Sequence, residues 1–364
     1  MRVGLWNPVG YAAEGLPSGW PAPGVRWSAE RGAESLRRAF ELYDLAVAGG
    51  FDMVSVAEHH SGYGSLTPSP IVMAAALAQR YPHVRIGILG PILPLTQPLR
   101  VAEEIAMVDL ISGGRTIVGF FRGVPNEYLA YGTPPAAGGE MLREAVALVQ
   151  RAWTEPQVFG WEGRHYRHRS IAVWPRPLQQ PHPPIVLGAT SPESAVWAGE
   201  HGFGLGLFGA VVAPERAADC VAAYRGAADG GAAETVLYRA RLYIADSDEQ
   251  AEADIARFDL GNSRGVMAPE PQRATAADRV NAALFGPPRQ GGTTMAARPE
   301  FAGSPQSVLA QLRESHARID WDMLDSIFTY SNLPHEHAHR SLALFCEQVL
   351  PELAATQTAR ASAS

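Results

Sequence analysis

The sequence is poor in cysteine and contains neither a long apolar run nor a basic stripe. Only two cysteines occur among 364 residues, Cys220 and Cys346, and they show no CxxC spacing. This argues against a disulfide scaffold and a cysteine-rich metal site, and it fits a reducing cytoplasm. No stretch of about 18 apolar residues and no apolar signal segment is present, so we expect neither a transmembrane helix nor a signal peptide. The net charge of −7 argues against nucleic acid as a partner.

Short apolar runs alternate with amphipathic segments along the chain. Such alternation predicts a parallel sheet with helical crossovers. We predict eight strands, at 2–5, 53–57, 85–89, 116–120, 185–188, 204–208, 237–244 and 326–330. Eight strands with intervening helices are typical of a (β/α)8 TIM barrel, in the α/β class. A doubly wound sheet is the alternative, but the GxGxxG motif that would follow its first strand is missing.

Serine–proline pairs predict three of the helix starts. Ser69, Ser191 and Ser304 each precede a proline, and serine caps a helix while proline fits its first turn. Apolar periodicity predicts further helices at 34–48, 100–110 and 141–153. The last helix is predicted at 335–350, ending before Pro351.

We expect a single barrel domain over residues 1–358, with insertions in its strand-end loops. The segments at about 7–30, 154–184 and 260–300 are too long for simple connections, and long connections are usually lids or disordered. We predict a small hairpin in the second and a possible active-site lid in the third. The basic run RHYRHR at 164–169 could contact phosphate, although a solvated loop is the simpler interpretation. Residues 359–364 are predicted to be a frayed tail.

Three titratable residues follow the second predicted strand. Glu58, His59 and His60 come directly after an apolar run, and the carboxyl ends of the strands carry the active site in such barrels. Adjacent histidines on an extended segment point in opposite directions, which disfavours a shared metal ion, and HExxH is absent. Acid–base catalysis by a histidine and simple packing inside the barrel both remain open.

A group of polar residues follows the fourth and fifth predicted strands. Thr190 and Ser191 come after the fifth strand, and Ser194 lies in the first turn of the helix that Ser191 starts. Backbone N–H groups at a helix start can bind phosphate, and Arg122, after the fourth strand, could add a bidentate contact. Helix capping alone is the alternative, but the combination favours a phosphate-bearing cofactor.

Several motifs in order resemble the luciferase-like flavin-dependent monooxygenases. They are AEHHSGYG from residue 57, PLTQPLRVAE at 94–103, VDLISGGR at 108–115 and GFFRG at 119–123. The segments GSPQSVLAQL and LFCEQVLPEL resemble the later helices of the family. The resemblance covers about residues 1–355, and the EHH form is closest to bacterial luciferase and its FMN-dependent relatives.

The resemblance implies a TIM barrel that uses reduced FMN and O2. A C4a-peroxyflavin would oxygenate a small-molecule substrate, with reduced FMN supplied by a separate flavin reductase. It also implies a homodimer. Two alternatives stay open, a deazaflavin-dependent hydride-transfer oxidoreductase and a non-catalytic luciferase-like partner subunit.

The resemblance also implies roles for individual residues. His59 matches the catalytic histidine, with His60 and Glu58 beside it. The residues that match cofactor-binding positions are Arg122, Thr190, Ser191, Ser194, Glu127, Leu89 and Gly90. The last two lie where the family has a bulge, often with a cis peptide, behind the flavin ring.

Two positions depart from the luciferase pattern, and the substrate pocket is open. Phe121 replaces a reactive cysteine, so light emission is not implied. Gly139 stands where a second phosphate-binding arginine is expected, and Arg143 is a turn later. The aromatic residues of the first two strand-end loops are candidate pocket walls: Trp6, Tyr11, Trp20, Trp27 and Tyr63.

Overall fold

A closed parallel barrel forms the centre of the computed structural model. The structure describes residues 1–11, 22, 24–228, 235–260, 298–330 and 332–354. Within these ranges the barrel strands are β1 (Arg2–Trp6), β2 (Met53–Val56), β3 (Arg85–Leu89), β4 (Thr116–Phe120), β7 (Ile185–Gly188), β8 (Gly204–Phe208), β9 (Val236–Ile244) and β11 (Met323–Ile327). They pair in parallel in that order, and β11 closes onto β1. The predicted (β/α)8 barrel is confirmed.

Helices cover the outside of this barrel. They are α1 (Ala29–Ala48), α2 (Pro70–Arg80), α3 (Pro98–Ser112), α4 (Pro125–Tyr131), α5 (Gly138–Thr154), α6 (Pro192–Glu200), α7 (Pro214–Ala227), α8 (Asp248–Phe258), α9 (Pro305–Ile319) and α10 (His335–Leu344). The three predicted serine caps are confirmed, because Ser69, Ser191 and Ser304 each accept a hydrogen bond from the third residue of the helix that follows. Among the described residues no helix is both long and apolar enough to cross a membrane.

The predicted end of the last helix is wrong. Beyond α10 the chain makes a π-helical turn, Phe345–Val349, and helical backbone continues to residue 354. Pro351 therefore lies inside the helical segment. A proline ring collides with the preceding turn of a regular α-helix, and the wider π turn just before it provides room.

The eighth predicted strand is also shifted. The structure places β11 three residues earlier than the predicted segment 326–330. Asp325 interrupts the apolar pattern of this strand, although it is fully buried. Its charge is neutralised inside the barrel by Arg239 of β9, 2.8 Å away, so a charged residue occupies the middle of a core strand.

Two smaller strand pairs accompany the barrel. The predicted hairpin exists as β5 (Phe159–Glu162) and β6 (Arg167–Ile171), which pair antiparallel. Its basic turn is tied to α5, since Arg164 forms an ion pair with Glu140. The sequence did not predict β10 (Phe301–Gly303), which pairs with the end of β9. The predicted lid at 260–300 lies almost wholly outside the described residues, as do the predicted tail and residues 12–21 and 23 of the 7–30 loop, among them Trp20.

Candidate active site

The triplet after β2 is divided between two hydrogen-bond systems. His59 Nδ1 lies 3.0 Å from Oε1 of Glu127, in α4, which follows β4, the next strand but one from β2 in the barrel. Glu58 and His60 instead bond to each other, 2.8 Å apart. Alternation along an extended segment explains the division, because residues two apart share a side and the residue between them faces the other way.

Glu127 is positioned to orient His59. Its side chain is 1% exposed, and its second oxygen accepts a hydrogen bond from the backbone N–H of Val124 at 3.0 Å. An ionised carboxylate only accepts hydrogen bonds, so His59 donates from Nδ1 and leaves Nε2 as the acceptor. Among the described residues, Nε2 has no protein partner. Sequence reasoning placed Glu127 near the cofactor but missed this pairing, which joins residues 68 positions apart.

His60 is bound on both ring nitrogens. Nε2 meets Glu58, and Nδ1 lies 2.8 Å from the hydroxyl of Tyr131, at the end of α4. Burial raises the pKa of Tyr131, with the charges of Glu58 and Glu127 adding to the shift. Glu58 also accepts a hydrogen bond from the backbone N–H of Ile92, at 3.2 Å. The triplet thereby ties the ends of β2, β3 and β4 together.

The backbone after β3 comes close to this triplet. Gly90 has φ of +140°, a conformation that favours glycine. A Cβ added there would lie 3.3 Å from Cβ of Ala57 and 3.7 Å from the backbone nitrogen of Glu58. Leu89 points into the barrel core. The Leu89–Gly90 peptide is trans, since the cis bonds among the described residues are Trp174–Pro175 and Gln180–Pro181.

The predicted phosphate-binding residues lie at the start of α6. Ser191 caps the helix, its hydroxyl lies 3.1 Å from that of Ser194, and both side chains are half-buried. Thr190 is exposed, and its carbonyl accepts a hydrogen bond from Arg216. A helix start with two hydroxyl groups is suited to an anion.

Two arginines are candidates for contact with an anion at this helix start. Arg122 follows β4, the strand next to β7 in the barrel, and its exposed guanidinium has no protein partner among the described residues. Arg143 of α5 reaches α6, where its guanidinium lies 5.3 Å from the centre of the Trp197 ring. A Cβ added to Gly139, one turn earlier in α5, would meet nothing within 4 Å. The position at which a second phosphate-binding arginine was expected, residue 139, therefore borders open space.

A buried cation and two rings form the floor of the barrel mouth. The guanidinium of Arg239 lies 4.6 Å from the centre of the Trp6 ring and 5.9 Å from that of Phe121. Ser55 donates a hydrogen bond to Asp325, the carboxylate partner of Arg239, at 2.7 Å. The sequence holds a signal for this pair, because charged residues inside otherwise apolar strands must be paired when buried.

Phe121 fills a space that glycine leaves. A Cβ on Gly188 would approach the Phe121 ring to 2.4 Å, and one on Gly119 to 2.7 Å. The ring thus lies across the barrel interior between β4 and β7 and gives this part of the interior an apolar wall. Trp6 meets His59 edge-to-face, with 6.3 Å between ring centres, so the floor continues to the dyad of His59 and Glu127.

The described residues bring no three potential metal ligands together. The alternating histidines of α10 have protein partners instead. His335 pairs with Glu41 at 2.8 Å, and His337 Nδ1 lies 3.3 Å from the hydroxyl of Tyr243.

Comparison with known proteins decides the family. The family model for luciferase-like monooxygenases matches residues 12–320. The chain belongs to this family. The predicted resemblance is therefore confirmed. A similar curated protein is the oxygenase component of the flavin-dependent trigonelline monooxygenase of Acinetobacter baylyi, which is 30% identical over 219 residues, or 58% of this chain and 60% of the relative. The alkanal monooxygenase alpha chain of Photorhabdus luminescens is 29% identical over 154 residues, or 42% of each chain.

Three solved structures cover the chain more fully. Monooxygenase RslO1 from Streptomyces bottropensis superposes with a TM-score of 0.74 at 25% identity, covering 97% of this chain and 100% of that one. The oxygenating constituent of 3,6-diketocamphane monooxygenase from Pseudomonas putida, in complex with FMN, gives 0.70 at 18%, covering 97% and 98%. An F420-dependent secondary alcohol dehydrogenase gives 0.67 at 16%, covering 96% and 98%. The two lower identities show the fold alone.

Sequence matches to the curated relatives are partial. The matched region covers 60%, 47% and 49% of the first three of them. Within this chain, the predicted site residues lie on one arc of the barrel rim, after the consecutive strands β2, β3, β4 and β7. The structure joins His59 to Glu127 and Glu58 to His60, and it places Arg122 and the α6 start on the adjoining strands.

Proposed function

We propose that this protein is the oxygenase of a two-component flavin-dependent monooxygenase, which uses reduced FMN and O2 to oxygenate a small organic substrate. The observation that carries this proposal is the His59–Glu127 pair at the barrel rim of a chain in the luciferase-like family. Reduced FMN, when bound, supplies the electrons that activate O2. The protein's part is to hold the cofactor, exclude water and move protons.

The residues present fit FMN. Ser191, Ser194 and the backbone N–H groups at the start of α6 would hold its phosphate, with Arg122 as the counter-charge. Gly90 has no side chain to obstruct a flat ring at the ends of β2 and β3. Thr190 lies beside the phosphate-binding residues, and Leu89 packs beneath the proposed ring site.

His59 is the proposed proton-transfer residue. Its Nδ1 is committed to Glu127, so a proton is accepted or donated at Nε2. Glu58 and His60 are proposed to hold the loop after β4 in place, because both nitrogens of His60 already have protein partners. The retained dyad argues against a non-catalytic partner subunit.

The proposed partners are a separate flavin reductase and a second copy of the chain. The relative's name, an oxygenase component, supports the first. Exposed apolar side chains on α2 and α3 support a homodimer: Val72, Met107, Leu110 and Ile111. Both cysteines are free thiols, which supports a reducing compartment such as the cytoplasm.

A deazaflavin-dependent hydride transfer is the second candidate. The specific observation in its favour is the similarity of the fold to two F420-dependent enzymes, with TM-scores of 0.67 and 0.63. The two candidates differ in the cofactor that the rim binds.

Anaerobic titration distinguishes these candidates. We expect photoreduced FMN to bind and reduced F420 to bind at least about tenfold more weakly. Tight binding of F420 without binding of reduced FMN would contradict the proposal. Riboflavin is the matched ligand without phosphate. Arg122→Gln should weaken the binding of FMN about tenfold and leave the binding of riboflavin unchanged.

A further inference from the structure

Described residues of the loops after β1 and β2 line a cavity beside His59. Its volume is about 390 Å³, and its walls include Tyr11, Arg26, Trp27, His59 and Tyr63. Backbone hydrogen bonds join the two loops, from Tyr11 N–H to the carbonyl of Tyr63 at 2.8 Å and from Leu66 N–H to that of Val9 at 2.9 Å. We call this cavity the aromatic slot.

The wall of the aromatic slot is built from fixed rings. Tyr11 and Trp27 stack with 5.2 Å between ring centres and an angle of 22°. The Tyr11 hydroxyl receives a hydrogen bond from Ser28 N–H at 2.7 Å and donates one to the carbonyl of Arg26 at 3.1 Å. Trp27 rests on Gly32 of α1, where a Cβ would come within 2.5 Å of the indole. Trp27 nevertheless stays 58% exposed, so part of its ring is available to a ligand.

The described residues that line the aromatic slot carry positive charge. Arg26 is exposed, and its guanidinium has no protein partner among the described residues. None of the described residues that line the slot is an aspartate or glutamate. A cationic ligand would be repelled, whereas a carboxylate would gain a charge-assisted, bidentate contact. On a chain with a net charge of −7, this local cation supplies the attraction that an anion needs.

We propose that the aromatic slot binds the planar aromatic part of an anionic substrate, with its carboxylate on Arg26 and its reacting ring directed toward His59. This inference rests on the proposed function, because it makes the slot the specificity site of that reaction. Stacking on aromatic side chains selects a flat ring over a puckered one. Since His59 lines the slot and also bonds Glu127, a substrate held there reaches the proposed proton-transfer residue.

Binding of three matched probes to the flavin-free protein tests the proposal. The probes are 2-naphthoate, its saturated analogue decahydro-2-naphthoate, and uncharged 2-naphthamide, measured by calorimetry. We expect 2-naphthoate to bind at least about tenfold more tightly than either analogue. Equal affinity for all three would overturn the proposal. Because no flavin is present, this result is independent of whether the rim binds FMN.

Three variants locate the binding. Arg26→Gln should abolish the preference for naphthoate over naphthamide, whereas Arg31→Gln, on the exposed start of α1, should preserve it. Gly32→Ala favours the helix but displaces the Trp27 ring. It should therefore weaken the binding of 2-naphthoate about tenfold without lowering the melting temperature. Wild-type affinity in both Arg26→Gln and Gly32→Ala would overturn the assignment.

Discussion

Replacing Glu127 by glutamine should reverse the tautomer of His59. Oε2 of Glu127 accepts the Val124 N–H at 3.0 Å, so the amide oxygen of glutamine must occupy that place. Its NH2 group then faces Nδ1 of His59, where Oε1 now lies 3.0 Å away. An amide NH2 only donates, so Nδ1 becomes the acceptor and the proton moves to Nε2.

The size of the effect follows from the same contacts. A hydrogen bond to a charged group contributes about 1.5–3 kcal/mol and a neutral one about 0.5–1.5. The substitution should therefore cost about 1–1.5 kcal/mol, or about 1–2 °C in melting temperature for a chain of this length. The effect on chemistry is larger, because Nε2 can no longer accept a proton. General acid–base catalysis accelerates a reaction about 100-fold or more, so the turnover of Glu127→Gln should fall by a similar factor.

Nitrogen-15 NMR of the histidine rings measures the tautomer directly, with and without flavin. His59 is assigned by the signal that His59→Ala removes. We expect Nδ1–H in the wild type and Nε2–H in Glu127→Gln. Glu58→Gln is the matched control, since it changes the partner of His60 and should leave His59 as it was. The same tautomer in wild type and Glu127→Gln would refute the reasoning.

Three further predictions concern other parts of the molecule. Gly139→Arg places a guanidinium in open space at the start of α5; we expect tighter FMN binding with riboflavin unchanged, and equal changes for both would contradict a phosphate contact. Asp325→Ala leaves Arg239 buried without its carboxylate and should lower the free energy of unfolding, measured in urea, by about 3–5 kcal/mol. Asp44→Asn, in an exposed ion pair, should lower it by about 1 kcal/mol or less. Although burial acts to raise the pKa of Glu144, hydrogen bonds from the hairpin turn outweigh it and lower that pKa below 4.5. The resulting contribution to stability is present above pH 4.5 and is lost as the pH falls further, so proteolysis of the hairpin should increase in acid. The same pH dependence of proteolysis in Glu144→Gln as in the wild type would contradict this role.

Periodicity and strand-end position were sufficient to predict the barrel and the rim. Apolar runs mark β2, β3, β4 and β7 within a residue, because these strands contain no buried charge, and serine–proline pairs mark the helix starts after β2 and β7. The prediction failed at β11, where Asp325 is tolerated only because Arg239 comes from another strand. A partner that distant in the sequence has no local signal.

The candidate site was predicted as individual residues rather than as pairs. His59 could be identified from its position after a strand, but its contact with Glu127 depends on how α4 folds back over the rim. The aromatic slot shows the same limit. Tyr11, Trp27 and Tyr63 were candidate walls, whereas the position of Arg26 among them emerges only when the two loops are joined by their backbone hydrogen bonds.

The reaction of bound, photoreduced FMN with O2 tests the proposed function most directly. Stopped-flow absorbance follows the flavin after mixing with oxygenated buffer, in the wild type and in His59→Ala. We predict two phases in the wild type, the first dependent on O2 concentration and giving a near-ultraviolet absorbance distinct from oxidised FMN. His59→Ala should shorten the life of that species. Reoxidation of FMN in one phase, at the rate of free FMN, would contradict a monooxygenase function for this barrel.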